Sequence, residues 1–382
     1  MRRKDTPRFA HLVLKPTLAC TSSCDTCSTR KRLHRIKKKE PQLGIADWKR
    51  LFVEANSLGL SKLTISGGEP TLYADLLELI AEGKAYGWEV GLNTNGSLID
   101  RNFAMQLKEA GLDVVTLSLY SSAPEFHDRL RRHPGLWHKA VEAVKLFVEF
   151  REQHDPRFRV NMQTLLCREN FRDFPERIQM AYQLGVCGIT FSYLEADFEE
   201  CNHLLDEKQI DEFKKQSVSE AIEIIRKSPA DRWAKRMAEA AVRSIFPMKT
   251  IQLHDYARGI YRTSSPCEIP SFFSIVLGNG DVHPCNMVEY SHYPVVGNLH
   301  KHAFKEIWEG EEWAEFRREG FDLCRYCPVP QQVYIPIMRR PELAWAQYLI
   351  KHTRLQSLFL PLKRQLFSRR WLLKLIRNPW YR

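Results

Sequence analysis

The feature that most narrows the fold is an alternation running from residue 11 to residue 194. Short apolar runs at 11–15, 61–66, 89–93, 112–119, 158–166 and 187–194 are separated by longer stretches whose apolar residues recur at helical spacing. At 44–57 these are Trp48, Leu51, Phe52 and Ala55, which share one helix face. Further helices are predicted at 72–86, 100–110, 135–153 and 173–184. A strand followed by a helix, six times over, lays strands side by side and parallel, because the crossover helix returns the chain to the same end of the sheet. We therefore expect an α/β fold, a partial (β/α)6 TIM-like barrel over residues 9–230. Chemistry in such folds sits at the C-terminal ends of the strands. Residues 206–262 read as helix interrupted at Pro229 and Pro247, with 231–262 a helical connection. A hairpin is predicted over 272–285, turning at Gly278-Asn279-Gly280, and a helix over 302–318. Residues 263–330 are thus expected to form a small α+β domain, followed by a basic helical extension, 331–382.

Three thiols lie on the loop after the first strand: Cys20, Cys24 and Cys27. With no fourth Cys nearby, they suit a metal cluster that keeps one site open, since a structural zinc or a closed four-iron cluster takes four protein ligands. A zinc knuckle or three unrelated thiols are the alternatives. The second strand ends in Ser66-Gly67-Gly68-Glu69-Pro70. Glycines there let backbone approach a ligand, and the carboxylate can pair with an ammonium, although a tight strand-to-helix turn explains the same residues. Asn93-Thr94-Asn95-Gly96 ends the third strand, Ser118 the fourth, and His127-Asp128-Arg129-Leu130-Arg131 follows. A second Cys set, Cys267, Cys285, Cys324 and Cys327, supplies the four ligands that close a cluster or a zinc ribbon. Cys167 and Cys187, in or beside strands, read as small apolar residues, and Cys201 in an acidic loop is open.

Taken together in this order, these motifs resemble those of the radical S-adenosylmethionine (radical SAM) enzymes, with a C-terminal SPASM/twitch-like auxiliary domain. The resemblance covers residues 9–330, with two departures: Thr26 stands where the family usually has an aromatic residue, and Tyr120 where it often has Asp. It implies that Cys20, Cys24 and Cys27 hold a 4Fe-4S cluster whose fourth iron is chelated by SAM. It also implies that Gly67, Gly68, Glu69, Pro70, Asn95, Ser118 and Arg131 bind the cofactor: Glu69 and Arg131 at its methionyl end, Asn95 and Ser118 near the ribose. A guanidinium suits the cofactor's carboxylate through two parallel hydrogen bonds, with Arg132 the second choice after Arg131. Gly185 to Phe191 resembles the segment that flanks the adenine. Cys267, Cys285, Cys324 and Cys327 would hold one auxiliary 4Fe-4S cluster. The implied reaction is abstraction of a substrate hydrogen atom by a 5′-deoxyadenosyl radical, with the auxiliary cluster taking up an electron, giving dehydrogenation or a cross-link of a small-molecule, lipid-linked or peptide substrate. An RNA- or peptide-modifying radical enzyme, or a non-catalytic iron-sulfur or zinc protein, is the alternative. No acid-base residue can be chosen; Glu195 and Asp197, just past the sixth strand, are the nearest carboxylates and equally suit a surface.

Composition bears on partners. The chain is 44% hydrophobic and 27% charged, as folded globular proteins are. No signal peptide or run of membrane-spanning length is visible, so the cytoplasm is the expected location and its ten Cys are read as ligands or reduced thiols. A small reductant such as flavodoxin or ferredoxin is the expected electron donor. Only 19 residues precede Cys20, too few for a separate leader-peptide-binding domain, which weighs against a peptide substrate. Residues 1–39 and 331–382 each carry net +10, and the stretch between them −9. Basic ends suit an anionic partner or are simply solvated termini. Within 358–376, Leu, Phe and Trp371 mix with Lys363, Arg364, Arg369, Arg370 and Lys374. That pattern suits contact with the inner face of a membrane, or a helix whose basic stems lie over apolar surface. Nucleic acid is not expected among the partners.

Overall fold

Strands β1 (His11–Lys15), β2 (Lys62–Ile65), β3 (Glu89–Thr94), β4 (Val114–Ser118), β5 (Arg159–Leu166) and β6 (Gly188–Tyr193) pair parallel, each with the next in chain order. This computed structural model describes residues 9–27, 41–193, 203–230, 232–245, 269–285, 295–319 and 333–336, all within a compact unit of residues 1–339. The basic run 31–39, Glu195, Asp197, Cys201, Cys267, Cys324, Cys327 and the extension beyond Pro336 lie outside the described residues.

Alternation along the strands decides which face is covered. Leu12 and Leu14, Leu63 and Ile65, Val90 and Leu92, Val115 and Leu117, Val160 and Met162, and Ile189 and Phe191 are all buried in one apolar cluster. The cluster also contains the inner faces of the helices α1 (Ile45–Ser57), α2 (Leu76–Ala85), α3 (Arg101–Glu109), α5 (Leu136–Gln153) and α6 (Phe174–Gln183). Trp48, Leu51, Phe52 and Ala55 form the buried stripe of α1 as their spacing predicts. The short α4 (Pro124–Arg131) starts with Pro at its first turn and ends at Arg132, whose φ is +47°. Helices α7 (Glu207–Glu212), α8 (Val218–Lys227) and α9 (Arg232–Arg243) follow β6, with a π-helical turn at Phe213–Ser217. Neighbouring strands twist steadily relative to one another, and a sheet whose helices lie on one side curls around the other. The result is an open (β/α)6 wall.

The predicted hairpin is present as β7 (Phe273–Leu277) and β8 (Asp281–His283), joined through Gly280 at φ +87°. Its first strand has a second partner: β7 runs parallel to β1, His11 abreast of Phe273 and Lys15 of Leu277. The C-terminal segment therefore shares the barrel's sheet and removes an open edge that would otherwise present unpaired N–H groups. Strand β9 (Gly297–Asn298) continues on that side, and β10 (Val333–Pro336) pairs antiparallel with β6 on the other. The helix predicted over 302–318 is two, α10 (Phe304–Glu309) and α11 (Glu311–Glu319). They meet at Gly310, where a Cβ would stand 2.9 Å from the Glu306 carbonyl oxygen. Trp308 packs on Phe9 and Trp313 with ring centroids 4.7 Å apart, tying both helices to the start of β1.

Leu117 is fully buried on the covered face. Leu117→Ala is expected to cost about 2–5 kcal/mol, because the removed methyls leave a cavity that the sheet and α5 cannot close. Urea denaturation monitored by tryptophan fluorescence checks this.

Candidate active site

The first four strands deliver their loops to one end of the sheet, and the loops hold one another. Gly68 N–H donates to the Thr17 carbonyl at 2.9 Å and Glu69 N–H to the Ala19 carbonyl at 2.7 Å. At this distance no side chain fits between the loops: a Cβ would lie 2.3 Å from Thr17 O at Gly67 and 2.1 Å from Ala19 O at Gly68. Gly67 also sits at φ +133°, where L-residues are strained. Both glycines thus press on the backbone that leads into Cys20.

Glu69 is fully buried, and four donors hold its carboxylate. Oε1 accepts from Thr71 N–H at 3.2 Å, the Thr71 hydroxyl at 2.7 Å and the Thr94 hydroxyl at 2.7 Å; Oε2 accepts from Asn95 N–H at 2.7 Å. Oε2, with a single partner, retains capacity for one more donor such as an ammonium. Pro70 opens a 3-10 turn that Glu69 caps. The Asn95 amide turns toward the Cys loop, its Nδ2 donating to Thr21 Oγ1 at 3.0 Å and lying 3.8 Å from Cys20 Sγ, while its Oδ1 accepts from Ser97 N–H. Thr21 and Ser97 hydroxyls bond at 2.8 Å. Ser118, at the end of β4, is half-buried.

A third contact comes from α4. Ser23 N–H donates to the Arg131 carbonyl at 3.3 Å and Asp25 N–H to the Leu130 carbonyl at 3.2 Å, so the last carbonyls of the helix bind the Cys loop. Asp25 pairs with Arg132 at 2.5 Å, and the Ser22 hydroxyl meets His133 Nδ1 at 3.1 Å. Arg132, second choice for the cofactor carboxylate, is thereby paired with the loop. Arg131 is 5% exposed and stacks on the Tyr120 ring at 4.5 Å; its Nε has no hydrogen-bond partner. All three Cys lie within its electrostatic reach. His127, one turn earlier, is fully buried, its Nδ1 accepting from Tyr120 N–H at 3.1 Å. Burial first, and then the Arg131 and His133 charges, pull its pKa down to about 3, so the ring is neutral and carries its proton on Nε2.

These features fit a thiolate-bound cluster. A buried guanidinium with an unused N–H beside three thiols needs negative charge to offset its desolvation. The Cys20 thiol is pushed up by burial, and the Ser22 N–H at 3.4 Å opposes that by stabilising the thiolate. Among the described residues no three Cys, His or carboxylate groups converge as a single ion requires, and a four-iron cluster, with one thiolate per iron, does not ask for it.

Comparison with known proteins agrees. The radical SAM superfamily model matches residues 14–181, and a SPASM iron-sulfur cluster-binding domain matches 267–328. The chain carries a radical SAM domain followed by a SPASM domain. Similar proteins include an AdoMet-dependent heme synthase of Methanosarcina barkeri, 24% identical over 74% of this chain and 77% of its own length. A PqqA peptide cyclase of Ruegeria pomeroyi is 30% identical over 44% of this chain and 43% of its own; this chain spans under half of that relative. In fold, Streptococcus suis SuiB bound to S-adenosylmethionine superposes with TM-score 0.60 at 15% identity, over 84% of this chain and 72% of its own. For anSMEcpe with bound AdoMet and Cp18Cys peptide the values are 0.57, 18%, 86% and 88%.

These two domains make this a radical SAM iron-sulfur enzyme, with SAM and 4Fe-4S clusters as cofactors. Of the SPASM cysteines, Cys285 is described: it is 8% exposed, two residues past β8. Cys167 is buried, which drives its thiol up to about 12, and Cys187 lies 3.6 Å from Arg151 Nη1, so both are held within the fold. Reading along the chain missed Ser22, Thr21, Ser97 and His133 as loop fasteners, because a lone Ser or Thr carries no spacing signal.

Gly68→Ala is expected to displace the Cys loop and leave the SPASM cysteines untouched. Iron analysis after anaerobic reconstitution should fall from about eight to about four per chain, the content of one 4Fe-4S cluster.

Proposed function

We propose that the chain is a radical SAM oxidoreductase that removes a hydrogen atom from its substrate and passes the remaining electron to an auxiliary 4Fe-4S cluster held by Cys267, Cys285, Cys324 and Cys327. The observation that carries the reading is the three-Cys loop clamped between the Gly67-Gly68 turn and the end of α4, with Arg131 buried beside it. When bound, the cluster supplies the electron that splits SAM into methionine and a 5′-deoxyadenosyl radical. Cys20, Cys24 and Cys27 would hold it. Glu69 Oε2 would accept from the SAM ammonium, and the Arg131 guanidinium would receive its carboxylate. Asn95 keeps Cys20 in register with the third strand. Neutral His127 holds the chain after β4 without adding charge beside Arg131.

The net reaction on this reading is a two-electron oxidation or a cross-link, with electrons entering from flavodoxin or ferredoxin. Relatives named as peptide cyclases support a peptide substrate, and the relative named as a heme synthase, aligned over more of both chains, supports a small molecule. No helix among the described residues is long and apolar enough to cross a membrane, and the basic 331–382 segment supports peripheral attachment to an anionic membrane face.

The deciding experiment is SAM cleavage by the anaerobically reconstituted, dithionite-reduced chain. 5′-Deoxyadenosine should form with wild type and fall below detection with Cys20→Ala/Cys24→Ala/Cys27→Ala. A fully iron-loaded, reduced wild type that leaves SAM intact would favour a non-catalytic cluster protein. For the extension, flotation with phosphatidylserine vesicles should occur at low salt and disappear at high salt; no flotation at low salt would remove the membrane reading.

A further inference from the structure

We infer that a groove on the helical side of the wall, bounded by α5, α6 and α8, docks a cationic amphipathic helix of a partner protein. The inference is independent of the radical chemistry above.

Helix packing leaves the groove open. Helix α5 precedes β5 and α6 follows it; α6 packs closely on α8, whereas α5 and α6 touch little. Between them lies a groove of about 1120 Å³. Its floor is apolar: Trp137, Val141, Pro175, Met180, Leu184 and Ile224, each buried or half-buried. The polar lining residues apart from Ser122 are exposed and form the rim. An apolar centre inside a polar, solvated rim is the anatomy of a protein interface. A small-molecule pocket instead aims a few enclosed polar groups at its ligand, and none of the polar residues lining this groove is buried.

The floor is fixed beforehand. Trp137 Nε1 donates to the Ser121 carbonyl at 3.1 Å, and its backbone N–H to Asp128 Oδ1 at 2.8 Å. Ser122 N–H donates to Asp173 Oδ2 at 3.0 Å, which ties the chain before α4 to the N-terminal end of α6. A surface already ordered loses little entropy when an occupant settles on it.

Charge selects that occupant. Glu142, Glu176, Glu220 and Glu223 line the groove, against Lys145 alone of the Lys and Arg among the described residues. Lys145 lies 2.7 Å from Glu142; Arg226, just outside, lies 3.0 Å from Glu223 and 3.2 Å from Glu239. Glu176 and Glu220 make no ion pair among the described residues. The rim is therefore net negative, and Lys or Arg flanks on the occupant complement it. The described lining residues lie in helices or beside them, and no strand edge borders the floor. An extended chain would find no backbone partners there, whereas a helix satisfies its own and presents an apolar stripe. From Pro175 to Leu184 the groove follows α6 for about 14 Å, room for about ten residues of such a helix.

The test is fluorescence anisotropy on the anaerobic, full-length holoenzyme. Its probes are three labelled helices of about 18 residues, five turns, that share one Leu stripe and carry Lys, Gln or Glu on the flanks. The Lys-flanked helix should bind more tightly than the Gln-flanked one. Glu176→Lys/Glu220→Lys should weaken the Lys-flanked helix about tenfold and leave the Glu-flanked helix no weaker. Ile224→Ala, which trims the floor, should weaken the Lys- and Gln-flanked helices alike. Hydrogen exchange on wild type should show the Lys-flanked helix protecting 137–145 and 175–184. Both reversed positions are exposed, and Glu176→Gln/Glu220→Gln should give a smaller loss in the same direction if the reversal variant fails to fold. No binding of the Lys-flanked helix, equal affinity for the Lys- and Gln-flanked helices, or protection elsewhere overturns the inference. So does a wild-type dimer that the reversal variant cannot form, which would give the groove to a second copy.

Discussion

The structure depends on a contact that admits no side chain. Two backbone hydrogen bonds, Gly68 to Thr17 and Glu69 to Ala19, fasten the loop after β2 to the loop carrying Cys20, and two glycines make that distance attainable. The same turn delivers Glu69 into the interior, where four donors offset the cost of burying a carboxylate. One of those donors, Asn95 N–H, belongs to the third strand's loop, so a displacement at Gly68 would reach Cys20, Glu69 and Asn95 together.

Electrostatics follows from that packing. Arg131 is buried with an unused Nε donor, and His127, one turn away, is held neutral by burial and by Arg131 itself. A fixed cation therefore stands beside the three thiols. Tyr120 is important here: an aromatic face under the guanidinium attracts it weakly and leaves its N–H groups free, whereas a carboxylate at that position would occupy them.

The sheet's two faces divide the labour. Helices seal one face into a continuous apolar cluster, and this supplies the stability. The other carries amides, hydroxyls and the ion cluster of Glu89, Arg159 and Lys62 beside an apolar strip, because β7 joins at β1 rather than closing the barrel. Strands buried on both sides read as unbroken apolar runs. The alternation in β5, where Arg159, Asn161 and Gln163 alternate with Val160 and Met162, was the signal for an open polar face, and a reading aimed only at element type passes over it.

Local pattern alone determined the six strands, the helices between them, the Cys20-Cys24-Cys27 loop, the Glu69 turn and the hairpin near 280. Each depends on residues within a few positions of one another, where spacing carries the information. Tertiary structure decided what those residues touch. Asn95 meets Thr21 across 74 positions, Ser22 meets His133 across 111, and His11 lies abreast of Phe273 at the sheet edge. It also decided that the Gly67-Gly68 pair bears on the Cys loop, and which face of each strand is left uncovered. Such partners are chosen by how strands register and how helices pack, and those choices follow from the burial of the whole apolar cluster rather than from any single stretch of chain.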